Sequence, residues 1–160
     1  MELKTKIQAE EGKQDMLITR EFDLPVELLF KAHADPELFG QWMSHEYGTT
    51  KVLKLENKKH GSWQFETVDA KGNVLYGAGG VFHEFIQNQK ITRTFESENT
   101  PFDVQLEFLE FEKLTDETSK LSMHIVYRTG ALRDQLLKMP FAQGLNMAHN
   151  RLQDIVSKIK

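Results

Sequence analysis

The sequence predicts an α+β domain in which a curved antiparallel sheet wraps around one long C-terminal helix, with two short helices after the first strand. Three observations predict it. Residues 48–128 alternate in period two between turn signals at 57–61, 70–73, 87–89, 99–101 and 115–117, which separate six strands joined by hairpin-length connections into an antiparallel meander. Beyond Gly130 the period becomes helical: Leu132, Leu136 and Met139, then Pro140 as a fresh first-turn residue, then Phe141, Leu145, Ala148, Leu152, Ile155, Val156 and Ile159 on one stripe. Gly77, Gly79 and Gly80 fall in mid-strand, where they mark a bulge or bend that curls the sheet. The helix stripe must be covered, and the concave face of the curled meander is the partner left for it.

Taken in order, residues 1–14 form a polar tail and 15–160 a single domain. Met16, Ile18 and Phe22 share one face of the first strand, and Arg20 lies on that same face. Pro25 suits a first helical turn, with Asp23 or Leu24 as cap, and Val26, Leu29, Phe30 and His33 follow at helical spacing. Asp35-Pro36-Glu37 repeats the start signal, and Leu38, Phe39, Trp42 and Met43 make a second short amphipathic helix. The inward sets expected along the meander are Val52 with either Lys54 or the Leu53/Leu55 phase, then Trp63/Phe65, Tyr76/Ala78/Gly80/Phe82, Ile91/Phe95, Val104/Leu106/Phe108 and Leu121/Met123/Ile125/Tyr127.

Composition narrows the function. The 160 residues carry 20 Lys+Arg against 24 Asp+Glu, a net charge of −4 with no basic footprint, so nucleic acid is not an expected partner. Cys is absent, which removes disulfides, thiolate nucleophiles and Cys-based zinc sites and fits a reducing compartment. No apolar run approaches the roughly 20 residues of a membrane-spanning helix, and the charged N-terminus lacks the pattern of a secretory signal, so a cytoplasmic protein without membrane contact is expected. The aromatic complement is 11 Phe against 3 Tyr and 2 Trp, rings mostly without a polar handle, as suits a large apolar interior, packed or hollow.

Trp42, Trp63, Phe65, Tyr76, Phe82, Phe95, Phe108 and Tyr127 are therefore either packed core or the wall of a pocket. In the second reading Trp42, Met43, Trp63, Phe65, Phe82, Phe95, Leu145 and His149 wall a wedge between sheet and helix, and Arg20, Tyr76 or Tyr127 orients a small apolar ligand. Arg20 either pairs with a buried carboxylate such as Glu66, Glu84 or Glu107 or snorkels to water at an edge. If it points inward it can grip a ligand carboxylate or phenolate. His149 lies on or beside the inner stripe of the last helix, as a satisfied core histidine, a pocket donor or a general base. The six histidines show no i,i+4 pair, so no metal site is expected. Glu107, Glu110 and Glu112 read as a solvated face. With no phosphate loop, dinucleotide fingerprint or nucleophile elbow, no catalytic residue and no cofactor is assigned.

A strand, two short helices, a six-stranded meander and a long final helix resembles the helix-grip fold of START-related and birch-pollen-allergen-like proteins, the SRPBCC superfamily. More narrowly, Ile18-Thr19-Arg20-Glu21-Phe22-Asp23 with Pro25, Asp35-Pro36-Glu37 with Trp42, Gly61-Ser62-Trp63-Gln64-Phe65, Gly80-Val81-Phe82-His83-Glu84-Phe85 with Ile91 and Thr94-Phe95, and the closing run from Arg133 to Met139 with Gly144 and Arg151-Leu152 resemble the family named for the activator of the heat-shock-protein-90 ATPase. One departure is Gly144-Leu145 followed by His149, where the family often has Gly-Trp and then Leu. The resemblance implies an internal cavity and, with the residues above, a carrier or sensor of a lipid-, polyketide- or flavonoid-like molecule. It also implies two alternatives, a cyclase- or isomerase-like enzyme using the same cavity with His149 or a buried Glu as base, and a stress-response module that contacts a chaperone. Monomer and homodimer are both open.

Overall fold

In the computed structural model, which describes residues 3–160, strands β1 (Lys6–Gln8), β2 (Asp15–Phe22), β3 (Thr49–Leu55), β4 (Ser62–Val68), β5 (Val74–Ile86), β6 (Lys90–Ser97), β7 (Gln105–Lys113) and β8 (Ser119–Val126) form one sheet. All pairings are antiparallel, in the order β1-β2-β8-β7-β6-β5-β4-β3. Helices α1 (Val26–Ala34) and α2 (Pro36–Met43) follow β2, and α3 (Gly130–Leu137) and α4 (Phe141–Ser157) close the chain. The sequence-predicted α+β architecture is the one observed. β1 is an addition: Ile7 pairs with Ile18 inside the stretch read as a polar tail, because three residues are too short to show a period of their own.

Helix starts follow local chemistry. Asp35 accepts hydrogen bonds at Oδ1 from the Glu37 and Leu38 amides (2.9 and 3.1 Å), capping α2 with Pro36 as its first residue. Thr129 Oγ1 accepts from the Leu132 amide and caps α3. Pro25 and Pro140 each sit one residue earlier than expected, as caps of α1 and α4 rather than first helical residues. Ile159 lies past the end of α4 and Met139 before its start, and both are half exposed, so the buried stripe narrows to Ala148, His149, Leu152 and Val156.

The mid-strand glycines work by close approach. A side chain at Gly79 would collide with the Trp63 carbonyl, and one at Gly80 with the Thr94 carbonyl, so β4 and β6 crowd β5 only because β carbons are missing there. The register shifts themselves fall elsewhere, between Val52 and Lys54, Thr67 and Val68, and Phe82 and Glu84. The sheet curls as expected, with its bulges displaced from the glycines.

The phase of β7 is opposite to the expected one. Leu106, Phe108, Leu109 and Phe111 put apolar residues on both faces, so alternation alone cannot decide. Pairing decides it: Phe111 lies opposite Leu121, Leu109 opposite Met123 and Glu107 opposite Ile125. Burying Leu109 and Phe111 with the inward face of β8 carries Glu107 inward as well, and turns Val104, Leu106 and Phe108 away from the core.

Candidate functional site

Between the concave face of the sheet and helices α2, α3 and α4 lies a partly enclosed cavity of about 250 Å³. Its buried surface comes from Ile18 of β2, Trp63 and Phe65 of β4, Met123 and Ile125 of β8, and Phe39 and Trp42 of α2. Less buried residues complete it: Met43, Phe95, Phe102 of the β6–β7 connection, Leu136, Phe141 and Leu145. Trp42 is fixed by an Nε1–H bond to the Ala32 carbonyl (2.8 Å), and Trp63 donates to the Thr94 carbonyl (3.2 Å), so both indoles present carbon faces inward. The accessible lining is mainly apolar.

A polar strip crosses this surface on β5, β6 and β7. Tyr76 Oη and Ser97 Oγ share a hydrogen bond (2.9 Å). Arg93 and Glu107, register partners across β6 and β7, form a buried ion pair through Nε and Oε1 at 2.9 Å. Gln105 donates to the other Glu107 oxygen (2.7 Å), and the Arg93 guanidinium lies over the Trp63 ring, 4.3 Å from its centroid. Two histidines complete the polar set. His33 donates from Nδ1 to the Leu29 carbonyl (2.9 Å), and burial, with a smaller opposing contribution from that bond, pulls its pKa down to about 4. His149 shares a 2.7 Å bond between Nδ1 and Thr5 Oγ1, and burial, reinforced by His33 and Arg20, pulls it down to about 3. Both rings are neutral at pH 7.

Of the residues singled out from the sequence, Trp42, Met43, Trp63, Phe65, Tyr76, Phe95, Leu145 and His149 line the cavity. Four do not. Arg20 donates to the Asn150 and Asn146 side-chain carbonyls (2.9 and 3.3 Å) and packs over Phe22, so it ties β2 to α4 and meets neither the cavity nor Glu66, Glu84 or Glu107. Burial lowers its pKa, and Asp154 opposes that. Phe82 is fully buried behind Trp63, sandwiched with Phe85 in the core. Phe108 faces outward and stacks on His124, following the inverted phase of β7. Tyr127 turns its hydroxyl to Met16 Sδ (3.7 Å), where burial, with the Glu107 charge, raises its pKa.

Sequence reasoning missed Arg93, Glu107 and His33 as cavity residues. Arg93 was findable, since it stands midway between inward Ile91 and Phe95 on a strand of period two. Glu107, expected on a solvated face, is carried inward by pairing with β8, which no local pattern displays. Among the described residues no three His, Asp or Glu side chains gather as a metal-holding group, and no helix is long and apolar enough to cross a membrane.

Solved structures share this fold at low identity. A Rhodobacter sphaeroides protein superimposes with a TM-score of 0.85 at 18% identity, over 95% of this chain and 98% of its own. A Mycobacterium smegmatis protein gives 0.82 at 17% over 95% and 96%, and one from Nitrosomonas europaea 0.79 at 18% over 96% and 100%. No curated protein matches the chain. The family model described as Activator of Hsp90 ATPase homolog 1-like protein matches residues 23–157. The α+β grip, the Asp35-Pro36 helix start and the Gly80–Phe85 strand segment thus sit in the chain as the resemblance implied, and the protein belongs to that family.

Proposed function

We propose that the protein is a carrier or sensor that binds a small, largely apolar, aromatic molecule between the sheet and α4. The observation that carries this reading is the cavity of about 250 Å³ with indole and phenyl walls. A void of about 150 Å³ lined by apolar side chains is enough to take benzene, so there is room here for one ring with substituents or two fused rings. Burying such a molecule contributes about 25 cal/mol for each Å² of apolar surface withdrawn from water. The less buried Phe102, Leu136, Phe141 and Leu145 form the way in, and a cytoplasmic location suits a carrier of this kind.

A catalytic reading of the same cavity gains less support. A general base works best with a pKa near the working pH, and His149 at about 3 is perturbed away from that range. The chaperone contact suggested by the family description calls for a recognition surface, for which exposed apolar residues such as Tyr47, Val74 and Leu75 are the material at hand. The test is titration of the purified protein with a panel of flavonoid-like and polyketide-like aromatics, followed by Trp42 and Trp63 emission. Binding in the micromolar range with quenching supports the proposal; a broad panel with nothing tighter than millimolar refutes it.

A further inference from the structure

Two buried side chains along the cavity have hydrogen-bonding capacity that the protein does not use. Arg93 spends Nε on Glu107, while neither of its Nη atoms has a partner among the described residues. His33 donates from Nδ1 to a carbonyl, which can only accept, so its proton is fixed there and Nε2 is a bare acceptor, also without a partner among the described residues. Among the described residues no buried side-chain nitrogen or oxygen is both cut off from accessible space and unbonded. The free atoms of Arg93 and His33 therefore border accessible space. The two residues meet that space with only 8% and 5% of their surface. That space is the cavity, which both line, together with an adjoining crevice of about 10 Å³ that holds at most one water.

Charge selects what can satisfy them. Glu107 already neutralises Arg93 and is itself held by Gln105. A second carboxylate would bring an uncompensated anion into an aromatic-walled space, at a steep desolvation cost. A neutral group is required, one that accepts from Arg93 Nη and donates to His33 Nε2, and a hydroxyl does both. Resting on the reading that the cavity takes a small aromatic molecule, we propose that this molecule carries a phenolic or enolic hydroxyl, seated between Arg93 and His33 while its ring occupies the apolar part of the cavity. The inference concerns recognition and requires no covalent step.

The experiment compares ethylbenzene, para-ethylphenol and para-ethylbenzoate at pH 7, with affinities read from the Trp63 indole and backbone amide signals in nitrogen–proton NMR spectra. The phenol is expected to bind at least about tenfold tighter than the hydrocarbon, the gain of a hydrogen bond to a charged group, and the benzoate weakest of the three. The variants are Arg93→Met combined with Glu107→Gln, which leaves no unpaired charge, and His33→Phe, which keeps a ring and removes the acceptor. In each the hydrocarbon should bind as before and the preference for the phenol should shrink toward none. If only one variant folds, its result decides. Equal binding of phenol and hydrocarbon, a preference that survives substitution, or tightest binding of the benzoate overturns this inference and leaves the aromatic cavity standing. Failure of all three compounds to bind overturns the cavity reading together with it.

Discussion

Lowering the pH from 7 to 5 is expected to cost the fold about 4 kcal/mol through His33 and His149. A histidine in the unfolded chain titrates near 6.5, whereas these two hold values of about 4 and about 3 when folded, because burial penalises the imidazolium. The unfolded state thus takes up protons that the folded state refuses. Stability is complete above about pH 6.5 and falls below it by ~1.4 kcal/mol per pH unit for each ring, until the folded value of that ring is reached. Over the interval from pH 7 to 5 each ring contributes about 2 kcal/mol. Carboxylates with lowered values, such as Asp15 beside His124 and Glu56 beside the Ser62 amide, act with the same sign but only at lower pH. The assay is urea unfolding followed by far-UV circular dichroism at pH 7, 6 and 5, with the His149→Gln variant alongside. Gln keeps a polar contact for Thr5 and cannot titrate, so the variant should lose about half of the pH dependence. A urea midpoint unchanged between pH 7 and 5, or a variant that keeps the full dependence, would refute the reasoning.

Glu107→Ala strands the Arg93 charge in the interior and should cost about 3–5 kcal/mol, seen by calorimetry as a Tm roughly 10 °C lower; a loss within 1 kcal/mol would mean that the guanidinium finds another partner. Gly144→Ala meets nothing within 4 Å on α4 and should stabilise by about 0.5–1 kcal/mol, read from the urea midpoint. Leu145→Trp adds an indole at one of the less buried residues of the cavity lining, so aromatic binding by fluorescence or NMR titration should disappear while Tm holds; binding that persists would put the ligand elsewhere.

How far the sequence displays this structure depends on whether a feature is written locally. The Asp35-Pro36 start of α2, the stripe Ala148, Leu152, Val156 and the inward pair Trp63/Phe65 are fixed by neighbours a few residues away, and each was legible. The phase of β7 was not, because Leu106-Glu107-Phe108-Leu109-Glu110-Phe111 satisfies either face and β8 chooses between them. The same choice hides the polar end of the cavity, since Glu107 becomes an interior residue only once Leu109 and Phe111 are committed. Arg20 shows the converse error: its position on an apolar face was read correctly, yet its partners, Asn146 and Asn150, lie on α4 and carry no signal near the strand. Phe82 and Tyr127 point to the core side as expected, and only the depth of the void separates packing from lining.

The tie between Thr5 and His149 joins positions 144 residues apart, and β2 has β1 and β8 as its neighbours in the sheet. During synthesis β2 must therefore wait, with one hydrogen-bonding edge vacant, until β8 has left the ribosome. Pairing strands so distant in sequence slows folding, and until β8 arrives the vacant edge of β2 is open to edge-to-edge association.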